Sequence, residues 1–373
     1  MIVVHFPSWF PFEGRPHHGN FILRQIDAAG MLTTSIVLHH SSPEFDNTTI
    51  SQYQNIIFRP IQTAKKCSKT KLISAYRSAF QNIIKEFGKP DLIHLHVALP
   101  LGPIAAMLSR QYGIPLVISE HWSLYKPMNR PEIKLKQRLL LNYTFHTAKF
   151  ITTVSEDLHK AIVETFPYTQ NIPHAQISNV VNTTLFAPAE SYQTDLKEIL
   201  HISTLDNKAK NIIGMLQAIQ ELKKERNDFI VNIIHDLSNE EVEKYIAEHD
   251  LTNQVHLLGE KNELEVAQHL QRSAFLLQFS NYENQPCVLL EAFCCGKPVL
   301  TTPVGGIPEI ANADNALFVE PQNELQLVEK LNYMLDHYTD YDTRKISIDA
   351  QKRYAANNIS KLFYTSYQTI LSK

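Results

Sequence analysis

A chain of 373 residues is long enough for two domains of ordinary size. Apolar residues make up 44% and charged residues 20%, which supports globular cores and excludes a disordered chain. Lysine and arginine number 35 against 38 acidic residues, and this balance argues against a dedicated nucleic-acid binder. The four cysteines show no zinc-site spacing: Cys294 and Cys295 are adjacent, while Cys67 and Cys287 lie far apart, so a reducing cytosol fits best. Met1-Ile2-Val3-Val4-His5 reads as a strand rather than a signal peptide, and no apolar run approaches a membrane span. A cytoplasmic protein is the expectation.

Short apolar runs alternate with helical-period stretches. Ile2 to Phe6, Ser35 to His39, Ile56 to Arg59, Leu92 to His96, Leu116 to Ser119 and Phe150 to Val154 read as buried strands. A helix starts near Phe21, and Leu72 to Phe87 and Ile104 to Tyr112 carry apolar residues three or four apart. A second cycle begins after Asn179-Val180-Val181-Asn182. Its strands are Ile199 to Ser203, Phe229 to Ile234, Val255 to Leu258, Phe275 to Gln278, Val299 to Thr302 and Leu317 to Val319. Between them lie helical stretches at Ile212 to Leu222, Glu240 to His249 and Ala267 to Arg272. Strands separated by helices pair in parallel through right-handed crossovers. Two doubly wound α/β halves follow, 1–180 and 181–373; the final segment, Ile359 to Leu371, has a helical pattern that fits either half.

Open parallel sheets bind ligands beyond the carboxyl ends of their strands, at helix N-termini. Ser280 to Glu291 fits that position: it follows the strand Phe275 to Gln278, Pro286 suits a first helical turn, and Gly296 with Pro298 stops the helix. Such a helix offers amides near Cys287, Val288 and Leu289 to an anion. Glu283 and Glu291 would repel an anion between them and suit hydroxyls better, one for a ribose and one for a sugar. The plainer alternative leaves Glu283 solvated and Glu291 paired with a neighbour.

From Glu291 the chain continues Ala292-Phe293-Cys294-Cys295-Gly296-Lys297-Pro298-Val299, then turns at Gly305-Gly306 before Glu309. The run resembles the retaining nucleotide-sugar glycosyltransferases of family four, whose GT-B fold sets two Rossmann-like domains face to face across a cleft. Pro90-Asp91-Leu92-Ile93-His94-Leu95-His96, Ser119-Glu120-His121, Val154-Ser155-Glu156 and Ser178 to Phe186 are similar to further segments of that family. The resemblance implies transfer of a sugar from a nucleotide diphosphate to an acceptor hydroxyl with retention of configuration, in polysaccharide or glycolipid assembly. The first half would hold a saccharide or lipid-linked acceptor and the second the donor, which is a substrate, with no cofactor, no metal and no nucleic acid.

The same resemblance distributes roles. Gly19, ahead of the first helix, would face the donor diphosphate, and His121 would hydrogen-bond the transferred sugar or the acceptor. Lys210 would neutralise the leaving group; the arginine that usually assists stands here as Thr204, with Lys208 as a stand-in. Glu283 and Glu291 would hold donor hydroxyls, and the base would stack near Gly259-Glu260-Lys261. His94, His17 and His18 are weaker candidates.

Lys126, Arg130, Lys134, Lys136 and Arg138 form a basic stretch that reads as a solvated helix face or as peripheral contact with an anionic membrane. Three rivals share parts of the pattern. They are a GT-B epimerase or phosphorylase, a dehydrogenase (for which Gly14 and Gly19 do not supply Gly-x-Gly-x-x-Gly), and a non-catalytic nucleotide-sugar-binding module.

Overall fold

The computed structural model describes residues 1–11, 18–41, 53–62, 68–189 and 196–372. His17, Gly14 and Cys67 lie outside the described residues. Two compact units form, one of Met1–Val180 with Ala356–Lys373 and one of Val181–Ala355.

In the first unit the chain runs β1 (Ile2–Pro7), α1 (Asn20–Gly30), β2 (Thr34–Ser41), β3 (Ile56–Gln62), α2 (Lys69–Phe87), β4 (Leu92–His96) and α3 (Gly102–Tyr112). It continues with β5 (Leu116–Glu120), α4 (Leu135–Thr147), β6 (Ala148–Thr153), α5 (Glu156–Thr165) and β7 (His174–Gln176). The sheet is parallel in the order β3-β2-β1-β4-β5-β6-β7. Every residue of β4 and β5 is buried, because crossover helices cover both faces of a parallel sheet. That double cover is why these strands read as largely apolar runs, with His94, His96, Ser119 and Glu120 as buried polar exceptions. Ser155 sets the entry to α5: its hydroxyl accepts the Leu158 amide at 3.1 Å.

The second unit contains β8 (Lys197–Ile202), the four-residue α6 (Asn207–Lys210), α7 (Ile212–Leu222), β9 (Phe229–Ile234), α8 (Glu240–Glu248), β10 (Val255–Gly259) and α9 (Glu263–Arg272). After these come β11 (Phe275–Gln278), α10 (Cys287–Cys294), β12 (Val299–Thr301), β13 (Ala316–Phe318), α11 (Glu324–His337) and α12 (Thr343–Tyr354). Its parallel sheet has the order β10-β9-β8-β11-β12-β13. In both sheets the order reverses beside the first strand of the unit, and in sheets of this kind ligands bind at that reversal, here the carboxyl ends of β1 and β4 and of β8 and β11.

The second unit ends at Ala355 rather than at residue 373, because the last helix, α13 (Ala356–Leu371), belongs to the first. Ile359, Phe363 and Tyr367 recur every fourth residue on one face of α13 and pack with Val3, Leu92, Val117 and Phe150 of the first sheet. Ala28 and Ala29 of α1 are small enough to let the two helices approach. Burying Ile359 and Phe363 contributes about 1.5–3 kcal/mol each, enough to fix the helix there. No helix among the described residues is long and apolar enough to cross a membrane.

Candidate active site

The richest constellation lies at the carboxyl end of β11. The segment Phe279–Pro286 leaves the strand and opens α10, which has no side-chain cap. It is held from both flanks. The Asn281 amide donates to the Ala209 carbonyl at 2.7 Å and its side-chain amide to Lys208 O at 3.0 Å. From the other side the Thr302 hydroxyl donates to Ser280 O at 2.6 Å, and the Gly306 amide to Asn284 O at 2.9 Å. Gly305 sits at φ +58, and a Cβ there would stand 1.8 Å from the Glu283 carbonyl oxygen. Only glycine allows the turn to lie this close.

That clamp fixes Glu283, whose Oε1 accepts from the Lys210 ammonium at 2.5 Å and from the Ser280 hydroxyl at 2.9 Å. Lys210 ends α6, a helix capped by Asp206 through the Lys208 amide at 3.0 Å. Two residues expected to act on a ligand thus form an ion pair. Both are largely buried, their side chains 19% and 10% exposed. Glu291, one turn into α10, is also buried. Cys287 and Val288 are half-buried at the helix start. Leu289 departs from its expected role, because its amide donates to the Pro286 carbonyl at 3.2 Å and its side chain lies in the core. The Leu289 amide is therefore spent within the helix start.

Thr204 is exposed in the turn after β8. Beneath that turn His201 is wholly buried and donates from Nδ1 to Leu277 O at 2.9 Å, leaving Nε2 to accept from the Ser203 hydroxyl at 2.8 Å. Burial pulls its pKa down to about 4, so it is a neutral spacer tying β8 to β11. Gly259 ends β10 at φ +68 with no atom within 4 Å of a built Cβ, so open space adjoins it.

In the first unit the matching strand end is β5. His121 follows it, 8% exposed, with its ring 5.0 Å from that of Phe21. Burial lowers its pKa to about 3, so the imidazole is neutral near pH 7 and able to hydrogen-bond without carrying charge. What positions it is Glu120, a residue whose role sequence reasoning missed. This carboxylate has no exposed surface and accepts four hydrogen bonds. The donors are Ala98 N at 3.0 Å, His121 N at 2.9 Å, Trp122 N at 3.0 Å and the Tyr125 hydroxyl at 2.9 Å. Burial raises its pKa, and the four donors oppose that rise. It joins the turn after β4 to the turn after β5, and the first of these turns is strained: Val97, a β-branched residue, sits at φ +63. The signal in sequence was an acidic residue ending an otherwise apolar strand.

Gly19 is the N-cap of α1, and its glycine identity has a local cause: at φ +75 a Cβ would lie 2.6 Å from the Trp9 carbonyl oxygen. His18 stands beside Trp9, ring centroids 6.0 Å apart. His94 is not a ligand-facing residue. It is fully buried, with Nδ1 bonded to the Tyr367 hydroxyl of α13 and Nε2 to the Ser119 hydroxyl, each at 2.7 Å. His5 bonds Ser35 at 3.0 Å and His96 at 3.1 Å. Ring nitrogens of His5, His94 and His96 gather within 4.8 Å of one another, which is ligand-like spacing. Five of their six ring nitrogens already hydrogen-bond, so a cation would have to displace those bonds.

The basic stretch does not form one patch. Lys126 is buried and paired with Asp157, Arg130 pairs with Glu164 at 2.6 Å, and Arg138 lies over the Phe166 ring while donating to Thr165 O at 3.2 Å. Internal contacts claim three of the five cations.

The Glycosyl transferases group 1 family model matches residues 185–353, and the Glycosyltransferase Family 4 model matches residues 22–185. An uncharacterized glycosyltransferase of Methanocaldococcus jannaschii is 27% identical over 296 residues, 79% of each chain. TuaC of Bacillus subtilis, a glycosyltransferase named for teichuronic acid biosynthesis, is 22% identical over 294 residues, 75% of this chain and 71% of its own. Among solved structures, HepE of Anabaena in complex with UDP has a TM-score of 0.79 at 17% identity, covering 99% of this chain and 100% of the other. At that identity the likeness speaks for the fold, two Rossmann-like domains of the GT-B kind.

Proposed function

Starting from a chain that belongs to the group 1, family four glycosyltransferases, we propose a retaining, metal-independent enzyme that transfers a hexose from a nucleotide diphosphate sugar to an acceptor hydroxyl. The observation that carries this reading is the clamped segment Ser280–Pro286, where Lys210 and Glu283 are held as a buried pair beside an uncapped helix start. A diphosphate arriving there competes for Lys210. Its ammonium turns to the phosphate oxygens, and Glu283 is released to accept from sugar hydroxyls. Cys287 and Val288 at the start of α10 add a dipole favourable to the same anion. Gly19 and Gly259 let backbone approach the diphosphate and the base, and Glu291 holds the ribose.

The first unit supplies the acceptor side, with neutral His121 as a hydrogen-bonding group. As the glycosidic bond breaks, the diphosphate oxygen leaves on the face that the acceptor attacks and takes the acceptor's proton. The protein contributes orientation and stabilisation of the leaving charge. HepE binds UDP, so a uridine diphosphate sugar is the first donor to try. TuaC is named for teichuronic acid biosynthesis, and a step in polysaccharide or glycolipid assembly, with a saccharide or lipid-linked acceptor, is the setting we infer.

The test is to follow product anomers by NMR, with nucleotide sugars and simple acceptors, in excess chelator. Retained configuration at an undiminished rate is the expected result. Inversion, or activity that returns only with a divalent ion, overturns the retaining or the metal-independent part. The exposed Thr204, where the family resemblance implies an arginine, favours a second reading as a binding module without turnover. Donor binding with neither transfer nor hydrolysis in the same assay would select it.

Lys210→Ala should lower turnover about hundredfold, the usual consequence of removing one group that stabilises a leaving anion. It also strands the Glu283 carboxylate, so stability should fall. Lys210→Ala with Glu283→Gln removes both charges and should recover stability but not turnover. Urea unfolding beside kcat separates the two. Recovery of turnover in the double variant would assign Lys210 a purely structural role.

A further inference from the structure

A depression of about 390 Å³ opens on the first unit, at the end of the sheet opposite His121. It lies between the last turns of α3 and α4, the Ile114-Pro115 segment that leads into β5, and the start of β6. From there β5 runs about 13 Å to Glu120, so the hollow is remote from the strand ends described above. Arg110, His146 and Lys149 border it, each from a different element, and all three are exposed. No acidic residue belongs to its lining. Among the described residues none of the three pairs with a carboxylate.

Local packing aims all three. Arg110 Nε donates to the Thr147 hydroxyl at 3.1 Å, and the guanidinium lies 4.8 Å over the Tyr143 ring. Thr147 is fixed in turn, donating to Tyr143 O at 3.0 Å. One corner of the guanidinium is thereby spent, and its two terminal nitrogens are left for a forked acceptor. The His146 ring stacks on Tyr168, 3.9 Å between centroids and 6° between planes, and the Tyr168 hydroxyl donates to Asn142 Oδ1 at 2.9 Å. Lys149 owes its direction to an irregular strand. Leu116 pairs with Ala148 and Val117 with Phe150, so Lys149 is the extra residue of a bulge and the one exposed position of β6. Bulges of this kind re-aim a side chain.

Helix ends do not account for this charge. α3 and α4 both end here, and each C-terminus is equivalent to about half a negative charge. Arg110 and Lys149 together exceed that sum. We propose that the hollow binds the phosphate group of a soluble metabolite, at a site separate from the reaction centre. Arg110 takes two phosphate oxygens with its terminal nitrogens, Lys149 meets a third, and the His146 ring donates a hydrogen bond. The volume is that of a small-molecule pocket, which leaves room for the body of the metabolite. A nucleic acid is a poorer occupant, since the chain's net charge is −3 and one hollow offers no track for a backbone. The site goes beyond sugar transfer and does not rest on it.

Equilibrium dialysis of the full chain against radiolabelled inorganic phosphate, in chloride buffer of constant ionic strength, tests it. Arg110→Gln with Lys149→Gln should weaken binding by about tenfold or more. An unchanged thermal midpoint shows that this exposed-site variant folds. The candidate active site also favours anions, so the dialysis is repeated with Lys210→Ala, where binding should persist. Unlabelled glucose 6-phosphate should displace the label, and glucose should not. Absence of binding, binding that the double variant keeps, or failure of glucose 6-phosphate to compete would overturn the proposal. So would loss of binding in Lys210→Ala, which would place the anion in the second unit. Nitrate competing as well as phosphate would show an adventitious ion only and would overturn it too. Because no sugar is transferred in this assay, its failure leaves the glycosyltransferase reading standing, and the converse holds.

Discussion

Gly305→Ala should reduce sugar transfer by at least about a hundredfold, the scale set by misplacing a catalytic group by an ångström. Two separable costs are involved. Alanine at φ +58 is left-handed and costs about 1–3 kcal/mol wherever it occurs. The second cost is local: the new Cβ would stand 1.8 Å from the Glu283 carbonyl oxygen, an impossible distance. One of the two segments must move, and the loop bearing Glu283 is anchored on its far side by the Asn281 amide on Ala209 O at 2.7 Å. Displacement therefore falls on Glu283 and, through its ion pair, on Lys210. Gly113→Ala supplies the control. It has φ +60 with no atom within 4 Å of the built Cβ, so it incurs the backbone cost alone. Gly113→Ala should lose some stability and keep its turnover. If Gly305→Ala and Gly113→Ala behave alike, the clamp on Glu283 does not carry catalysis.

Strands with both faces covered were easy to find in the sequence. Leu92–His96, Phe229–Ile234 and Phe275–Gln278 keep in the structure the bounds read from their sequence, because cover on both faces makes these runs mostly apolar, with His94, His96, Asn232 and Gln278 as buried exceptions. Edge strand β7 is another matter. His174, Ala175 and Gln176 are all half-buried and pair on one side only, so no apolar run marks them. The helix α4 was also obscure, since Leu135 and Leu139 point away from the core and break the expected periodicity.

The contrast is sharper at the site. Glu283, Glu291, Gly305 and Lys210 could be singled out because they resemble motif positions of the family, the helix start and strand end alone leaving plainer readings open. What the sequence could not show is that Glu283 and Lys210 neutralise each other across 73 positions. Nor could it show that Glu120 gathers donors from Ala98 to Tyr125. The basic stretch failed as a patch for the same reason. Asp157, Glu164 and Phe166 lie too far along the chain for spacing to reveal that they bind Lys126, Arg130 and Arg138.

Acid should unfold the first unit well before the carboxylates of an ordinary domain titrate. His5, His39, His94, His96 and His121 are all buried there. Desolvation lowers His5 and His121 to about 3 and His39 to about 4, and holds His94 and His96 well below their ordinary value. The unfolded chain takes up protons at these positions near pH 6.5, and the folded one does not. Between the two pKa values the unfolded state binds more protons, so stability is full above that range and falls as pH drops through it. Each such histidine removes about 1.4 kcal/mol per pH unit, and five acting together remove about 7, comparable to the whole stability of a domain. Glu120 works in the opposite sense, its raised pKa favouring the folded state in acid, but with one proton against five. A midpoint between about pH 4.5 and 5.5 follows. Tryptophan fluorescence isolates this event, since the chain's two tryptophans, Trp9 and Trp122, both belong to the first unit. Among the described histidines of the second unit, fully buried His201 and half-buried His269 are held below the ordinary value, and two protons give a shallower slope, so helical circular dichroism should persist after the tryptophan signal has changed. Unaltered tryptophan emission at pH 4 would mean that the network of His5, His94 and His96 accepts protons while folded, and that its hydrogen bonds can be rewired without unfolding the sheet.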